Sequence, residues 1–253
     1  MVEINFGRKR PQHIVVVQPL AELRHLDRNG GVRVGAGVTY TRLLDESGGS
    51  FAAVREMART VGSPQIRNAG TVGGNLGTAS PAGDALPVLA AFDARIVLRS
   101  RRGERRIALG EYLTGPKQTM RAPDEIVVRA EWADPGPAQT FLKVGTRNAM
   151  VIAVASLCLV IDRERKAVRV ALGSCGPTII RASEAERFAR GLVDESGWDA
   201  PLDADAAALA RFGELVAAAA RPIDDVRGSA RYRRHVLGVM GRRALDRVGG
   251  IVT

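Results

Sequence analysis

The residues with chemistry to offer lie in one stretch, Val61 to Asp84, which reads Val-Gly-Ser-Pro-Gln-Ile-Arg-Asn-Ala-Gly-Thr-Val-Gly-Gly-Asn-Leu-Gly-Thr-Ala-Ser-Pro-Ala-Gly-Asp. Almost every side chain from Ala69 to Gly83 is small. Such a segment builds no core of its own, but it lets the backbone approach another molecule closely. Gly70, Gly73, Gly74 and Gly77 accept positive φ without a Cβ penalty. Consecutive backbone N–H groups in such turns form concave anion sites. Thr71, Asn75, Thr78 and Ser80 add short hydrogen-bonding side chains. Asp84 then opens an apolar helix, Leu86 to Phe92. A diphosphate resting on the loop accounts for the glycines, the hydroxyls and the lack of bulk together. A plain Gly/Ser/Thr-rich surface loop accounts for the glycines alone. Two nucleotide motifs are excluded. No Gly-Lys-Ser/Thr ending is present, and the spacing Gly70, Gly73, Gly74 is not Gly-x-Gly-x-x-Gly.

Elements on either side must position this stretch. His13 to Val17 is β-branched and short, and reads as a strand stopped by Pro19. Asn29-Gly30-Gly31 is a turn signal before a strand from Val32. Gly35-Ala-Gly37 lacks a third glycine, and reads as a strand end packed closely on a neighbour. Thr41 or its neighbour caps a short helix through Asp45. Ser50 caps a helix from Phe51 to Thr60, whose stripe is Phe51, Val54, Met57, Ala58 and Val61. Beyond the glycine segment, Arg95 to Arg99 and Ile107 to Leu113 are strands around a basic turn. Ala133 to Ala138 is a Pro/Gly linker. Val151 to Ile161 and Val168 to Gly173 form an antiparallel pair around a charged turn. Ser183-Glu-Ala-Glu186 has capping-box spacing and starts a helix to about Arg190. Ala204 to Ala220 is Ala-rich and helical. Ser229 caps a last helix to about Val248.

Composition sets bounds. The chain has 253 residues, of which 45% are hydrophobic and only 4% aromatic, so its core is aliphatic. Two cysteines, Cys158 and Cys175, are too few for an iron–sulfur cluster. Three scattered histidines give no metal-ligand pattern. Cys158 sits in an apolar run and is a core residue, and Cys175 is a loop or strand-end residue. The net charge is +10, mostly from arginine, since Lys9, Lys117, Lys143 and Lys166 are the only lysines. The arginines are spread along the chain without aromatic interleaving, which argues against nucleic acid. No apolar run reaches the ~20 residues that span a bilayer. A soluble cytoplasmic protein is expected.

The string Thr71-Val-Gly-Gly-Asn-Leu-Gly-Thr-Ala-Ser-Pro-Ala-Gly-Asp84 resembles the second flavin-binding loop of the molybdenum hydroxylase flavoproteins. This family includes the flavin domain of xanthine dehydrogenase and the medium subunit of aerobic carbon monoxide dehydrogenase. Tyr112-Leu-Thr-Gly115, Asp124 to Arg129, Phe141 to Met150, Pro177 to Arg181 and Ile223 to Arg233 extend the resemblance over nearly the whole chain. It implies an α+β fold: a PCMH-type FAD-binding domain over residues 1–135, then a small antiparallel sheet packed with helices over 139–250. It implies FAD in this chain, beside Thr71, Val72, Gly73, Gly74, Asn75, Thr78 and Ser80. Asp84 matches a position on the ribose side and Lys143 one close to the flavin. A solvated strand residue is the equal alternative for Lys143. The implied partners are an iron–sulfur small subunit and a molybdopterin large subunit. Electrons would pass from partner [2Fe-2S] clusters through FAD to NAD or another acceptor.

One departure bears on this. The family's first flavin loop, of Ala-Gly-Gly type, has no counterpart ahead of Met1-Val-Glu-Ile. The flavin domain is therefore expected to be incomplete at its N-terminus, through a misplaced start or a natural truncation, and to bind FAD weakly or not at all when made alone. Two other readings stand beside the first. One is a truncated, cofactor-free interaction subunit. The other is a stand-alone FAD oxidase of the vanillyl-alcohol-oxidase superfamily, against which the C-terminal resemblance argues.

Overall fold

Among the described residues, short β-branched runs and Gly/Pro turns lay out two larger antiparallel sheets and one two-stranded ribbon, with helices on both sides of the second large sheet. The computed structural model describes residues 2–8, 10–46 and 51–252. Its helices are α1 (Val2–Asn5), α2 (Tyr40–Glu46), α3 (Ala52–Thr60), α4 (Pro64–Ala69), α5 (Val72–Thr78), α6 (Ala85–Ala91), α7 (Leu109–Tyr112), α8 (Ser183–Ser196), α9 (Ala206–Ala219) and α10 (Ala230–Gly249). Its strands are β1 (Leu26–Asp27), β2 (Val32–Gly35), β3 (Arg95–Ser100), β4 (Gly103–Ala108), β5 (Leu113–Gly115), β6 (Gln118–Thr119), β7 (Ile126–Trp132), β8 (Gln139–Val144), β9 (Ala155–Asp162), β10 (Ala167–Gly173) and β11 (Ile180–Arg181). The expected cap at Ser50 lies outside the described residues.

The first sheet has the order β1-β2-β7-β3-β4 and the second β11-β10-β9-β8. Every recorded strand pair is antiparallel. Alternation places Val32, Val34, Ile96, Leu98, Ala130 and Trp132 on a core shared with α3, α5 and α6. On the opposite face, Leu23 from the 3₁₀ turn Ala21–Arg24 covers Val97 and Val128. The expected close approach at Gly35 is present. A Cβ there would lie 2.2 Å from the Leu23 carbonyl oxygen.

In the second sheet, β9 is buried at every position. Its Cys158 and Val160, with Phe141 and Ala171, join the first core. Its Leu157, Leu159 and Ile161, with Val168, Val170 and Leu172, face α8, α9 and α10 in a second core. The sheet is thus covered on both sides. Cys158 and Cys175 are both buried free thiols.

Three expectations change. His13 to Val17 forms no strand, and Ile14, Val15 and Val16 are exposed because no neighbouring strand pairs with them. The capping box at Ser183 does not form. Glu186 instead accepts from the Val170 amide at 2.8 Å and from Arg181 at 2.6 Å, so α8 is tied to the sheet and runs on to Ser196. Ile107 to Leu113 is not one strand, since β4 ends at Ala108 and the turn α7 intervenes. The caps at Asp205 and Ser229 form as short side-chain acceptors should, receiving the amides of Ala208 and Tyr232.

Buried Arg163, in the β9–β10 turn, closes the second half of the fold. Its guanidinium donates to the carbonyls of Ile251 (3.0 Å), Trp198 (2.6 Å), Ala200 (2.8 Å) and Gly249 (3.3 Å). These carbonyls end α10 and line the α8–α9 connection, where burial would otherwise leave them unpaired. Arg163→Met should lower unfolding free energy by about 2–4 kcal/mol, because the cation leaves while its acceptors stay buried. Urea denaturation with an unchanged slope would report this, and a loss below about 0.5 kcal/mol would show the cage to be dispensable.

Candidate flavin site

The glycine segment is a helix rather than a turn. Thr71 is extended (φ −128°, ψ 161°), and its Oγ1 accepts the Gly74 amide at 3.0 Å as the N-cap of α5. The Val72 amide donates to Val38 (3.1 Å), Gly73 to Ala36 (2.8 Å) and Asn75 to Thr71 (3.2 Å). The first four amides of α5 are therefore all engaged within the chain. Gly70, Gly73, Gly74 and Gly77 do not have positive φ; the left-handed residue here is Ala79 (φ 46°), which closes α5.

The glycines serve space instead of backbone twist. A Cβ on Gly73 would lie 2.6 Å from the Ala36 Cβ, so this glycine lets α5 sit on the end of β2. At Gly77 a Cβ would meet nothing within 4 Å, and at Gly74 only Thr71 Oγ1 at 3.4 Å. Both glycines present bare backbone to a cleft of about 400 Å³. Thr71, Gly73, Ala36, Gly37, Leu23 and Val127 line it as well, with Arg121 and Glu125 at its polar side.

Other expected site residues face elsewhere. Val72 is buried. Asn75 points inward, its Oδ1 accepting the Ala85 amide at 3.4 Å and so joining α5 to α6. Tyr112 holds the same helix from beneath, donating to the Leu76 carbonyl at 3.1 Å. Thr78 is exposed, and Ser80 accepts the Ala82 amide at 3.3 Å.

Asp84 and Lys143 find each other. Lys143 Nζ lies 2.6 Å from Asp84 Oδ2 and also donates to the Thr60 carbonyl at 3.0 Å. Their side chains are only 5% and 10% exposed, so Lys143 is not a solvated strand residue. Asp84 stands at the N-cap of α6 but makes no cap bond there, because its carboxylate serves the ion pair. Burial raises the Asp84 carboxyl above its ordinary range, against the pull of Lys143. Asp84 Oδ1 and the phenol of Tyr40 are buried without hydrogen-bond partners. Burial first, and the Asp84 charge second, raise the Tyr40 phenol.

Sequence reasoning missed Tyr40, Arg121 and Val127. Gly35-Ala-Gly37 was the one legible signal for that side of the cleft, since it marks backbone held close to a neighbour.

Two antiparallel sheets joined through shared helices, with bare glycine backbone on a cleft, define a two-layered α+β protein with one candidate binding site. Residues 1–131 match the family model described as the FAD binding domain in molybdopterin dehydrogenase. Residues 140–248 match the CO dehydrogenase flavoprotein C-terminal domain. The chain belongs to this family of molybdopterin-dehydrogenase flavoproteins. It is 28% identical over 257 residues to the xanthine dehydrogenase FAD-binding subunit of Escherichia coli O157:H7, covering 97% of this chain and 84% of that one. It is 31% identical over 246 residues to the glyceraldehyde dehydrogenase medium chain of Sulfolobus acidocaldarius, covering 94% and 83%. A crystal structure of the Cu,Mo-CO dehydrogenase superposes with a TM-score of 0.84 at 24% identity, covering 98% of this chain and 86% of that one. No helix among the described residues is long and apolar enough to cross a membrane.

Two outcomes follow from this geometry. Gly73→Ala should destabilise by about 1–3 kcal/mol through overpacking. Gly77→Ala, in open space on a helix, should stabilise by about 0.5–1 kcal/mol. Thermal denaturation of both variants checks the contrast, and equal melting points would remove the close approach to Ala36. Separately, Asp84→Leu or Lys143→Met alone should cost about 3–5 kcal/mol, each leaving one buried charge unpaired. The double replacement should recover most of that loss, and strictly additive losses in the denaturation cycle would show that the two charges do not depend on each other.

Proposed function

We propose that the chain is the FAD-carrying electron-transfer subunit of a molybdenum–iron–sulfur hydroxylase complex. In this reading an iron–sulfur small subunit and a molybdopterin large subunit are its partners, and NAD or another acceptor receives the electrons. The observation that carries the proposal is the bare edge of Gly74 and Gly77 on a cleft, within a family match that runs along nearly the whole chain. When bound, FAD supplies the redox chemistry, and the protein supplies binding and orientation.

The residues fit that role in a divided way. Thr71, Gly73 and Gly74 would lie along the diphosphate, where absence of side chains permits close approach. Thr78 and Ser80 carry short hydroxyls at the far end of the same segment. Asn75 and Tyr112 keep α5 in place beneath it. Asp84 and Lys143 hold the second sheet against α6 and so keep the end of the segment in place.

One observation favours a second reading, a cofactor-free interaction subunit. The first four amides of α5 are already engaged, so a diphosphate would draw few backbone donors from this helix.

Flavin fluorescence titration of the purified chain separates the two. Saturable quenching is expected for the wild type. Gly74→Val, which fills the cleft edge without entering the core, should weaken binding at least about tenfold, or ~1.4 kcal/mol. Equal affinities would take α5 out of the flavin site, and no binding by either protein would favour the cofactor-free reading.

A further inference from the structure

One guanidinium pins two loops together on a surface far along the chain from the glycine segment. Arg233 in α10 is 1% exposed. It donates to the carbonyls of Val154 (2.6 Å) and Ser174 (2.8 Å), and its Nη2 pairs with Asp225 at 2.5 Å. Asp225 in turn accepts the Arg227 amide at 2.8 Å and forms a bridge to Gly228. The bonds from Arg227, with the Arg233 charge adding to them, hold the Asp225 carboxyl down at about 2. A Cβ on Gly228 would lie 3.2 Å from Val154 and 3.6 Å from the Tyr232 ring, so loop 146–154, turn 223–228 and the start of α10 are neighbours.

This fixed surface presents apolar side chains to water. Ile152 is 61% exposed, Ile223 71%, Val226 103% and Tyr232 45%. Single exposed apolar residues are ordinary, but a group of them on a pinned turn is the composition of an interface centre. The turn is already ordered, so covering these side chains would gain hydrophobic stabilisation at little further entropic cost. Beside them stand Arg231 and Arg234, both exposed. Neither has an ion pair among the described residues. Several arginines at the first sheet, by contrast, pair with carboxylates, as Arg99 does with Glu22, Arg102 in the β3–β4 turn with Asp124, and Arg106 with Glu131. A partner that covered Arg231 and Arg234 with neutral surface would strand two charges. The complement is therefore an apolar patch flanked by carboxylates.

We infer that Ile152, Ile223, Val226 and Tyr232, with Arg231 and Arg234, form the docking surface for a protein partner whose face has an apolar centre and an acidic rim. This rests on the reading of the chain as one subunit of a complex. An apolar centre distinguishes the surface from a phosphate-binding one, where charge and hydrogen bonding dominate.

The test places the photo-reactive residue p-benzoylphenylalanine at position 226 of the full chain, made in its native host, with the same residue at exposed position 184 as a control. Irradiation should give one cross-linked species at 226, joined to a cofactor-carrying subunit of the same complex and absent from 184. Arg231→Glu with Arg234→Glu should lower its yield about tenfold. A cross-link to a second copy of this chain, to lipid or to nucleic acid would overturn the inference. So would no cross-link at 226, or a yield unmoved by the charge reversals. Flavin content of the same preparations reports on the underlying reading. Flavin present without a cross-link at 226 would sink the docking surface alone, whereas a partner captured at 226 by a flavin-free chain would sink the flavin reading alone.

Discussion

A strand with no exposed residue needs apolar cover on both of its faces, and β9 imposes that requirement on the whole molecule. Alternation sends Leu157, Leu159 and Ile161 one way and Cys158 and Val160 the other. The helices that follow, α8 to α10, supply one cover. The other cover comes from the first half of the chain, through α3 and α6. The second sheet therefore cannot keep its core if the first half moves away. The glycine segment lies between the two helices that supply this cover, so its position is set by the packing of β9 as much as by its own sequence.

Polar ties then fix the angle at which the halves meet. Glu56 on α3 accepts the Thr140 hydroxyl and the Phe141 amide, and pairs with Arg247 at 2.6 Å. Arg181 reaches the Ala90 carbonyl and Asp93 beyond the end of α6. Lys143 adds Asp84 and the Thr60 carbonyl. Of these only the Lys143–Asp84 pair is buried on both sides, and such a pair adds little net stability over apolar contacts, because both charges are desolvated. Its effect is directional, since a displaced helix would leave a charge unpaired in a dry setting. An arrangement of this kind suits a subunit that must hold a cofactor at a fixed orientation.

Much of this was legible in the residues. β-branched runs located β9 and β10, the Ala-rich run from Ala204 located α9, and Ser229 marked where α10 begins. The string from Thr71 to Asp84 marked the candidate site. Local pattern failed where tertiary partners decided the outcome. Gly73, Gly74 and Gly77 argue against a helix, each costing about 1 kcal/mol relative to Ala. Yet α5 forms, because Asn75, Tyr112 and the fit of Gly73 on Ala36 hold it there. His13 to Val17 has strand composition, but no neighbouring strand takes up its hydrogen bonds. Asp84 and Lys143 are 59 positions apart, and nothing local to either announces the other.

The candidate cleft and the pinned surface at Arg233 are joined by a short run of bonds. The glycine segment ends at Ser80-Pro81, and the Pro81 carbonyl accepts the Ser174 amide at 2.9 Å. The Ser174 carbonyl in turn accepts from Arg233 at 2.8 Å, and Arg233 holds the turn at Asp225. One residue, Ser174, thus bonds to both surfaces. These links form one continuous path of hydrogen bonds from Pro81 through Ser174 and Arg233 to Asp225. A partner docked on Val226 would therefore be connected to the side of the molecule that carries Gly74 through backbone bonds on either side of one buried guanidinium.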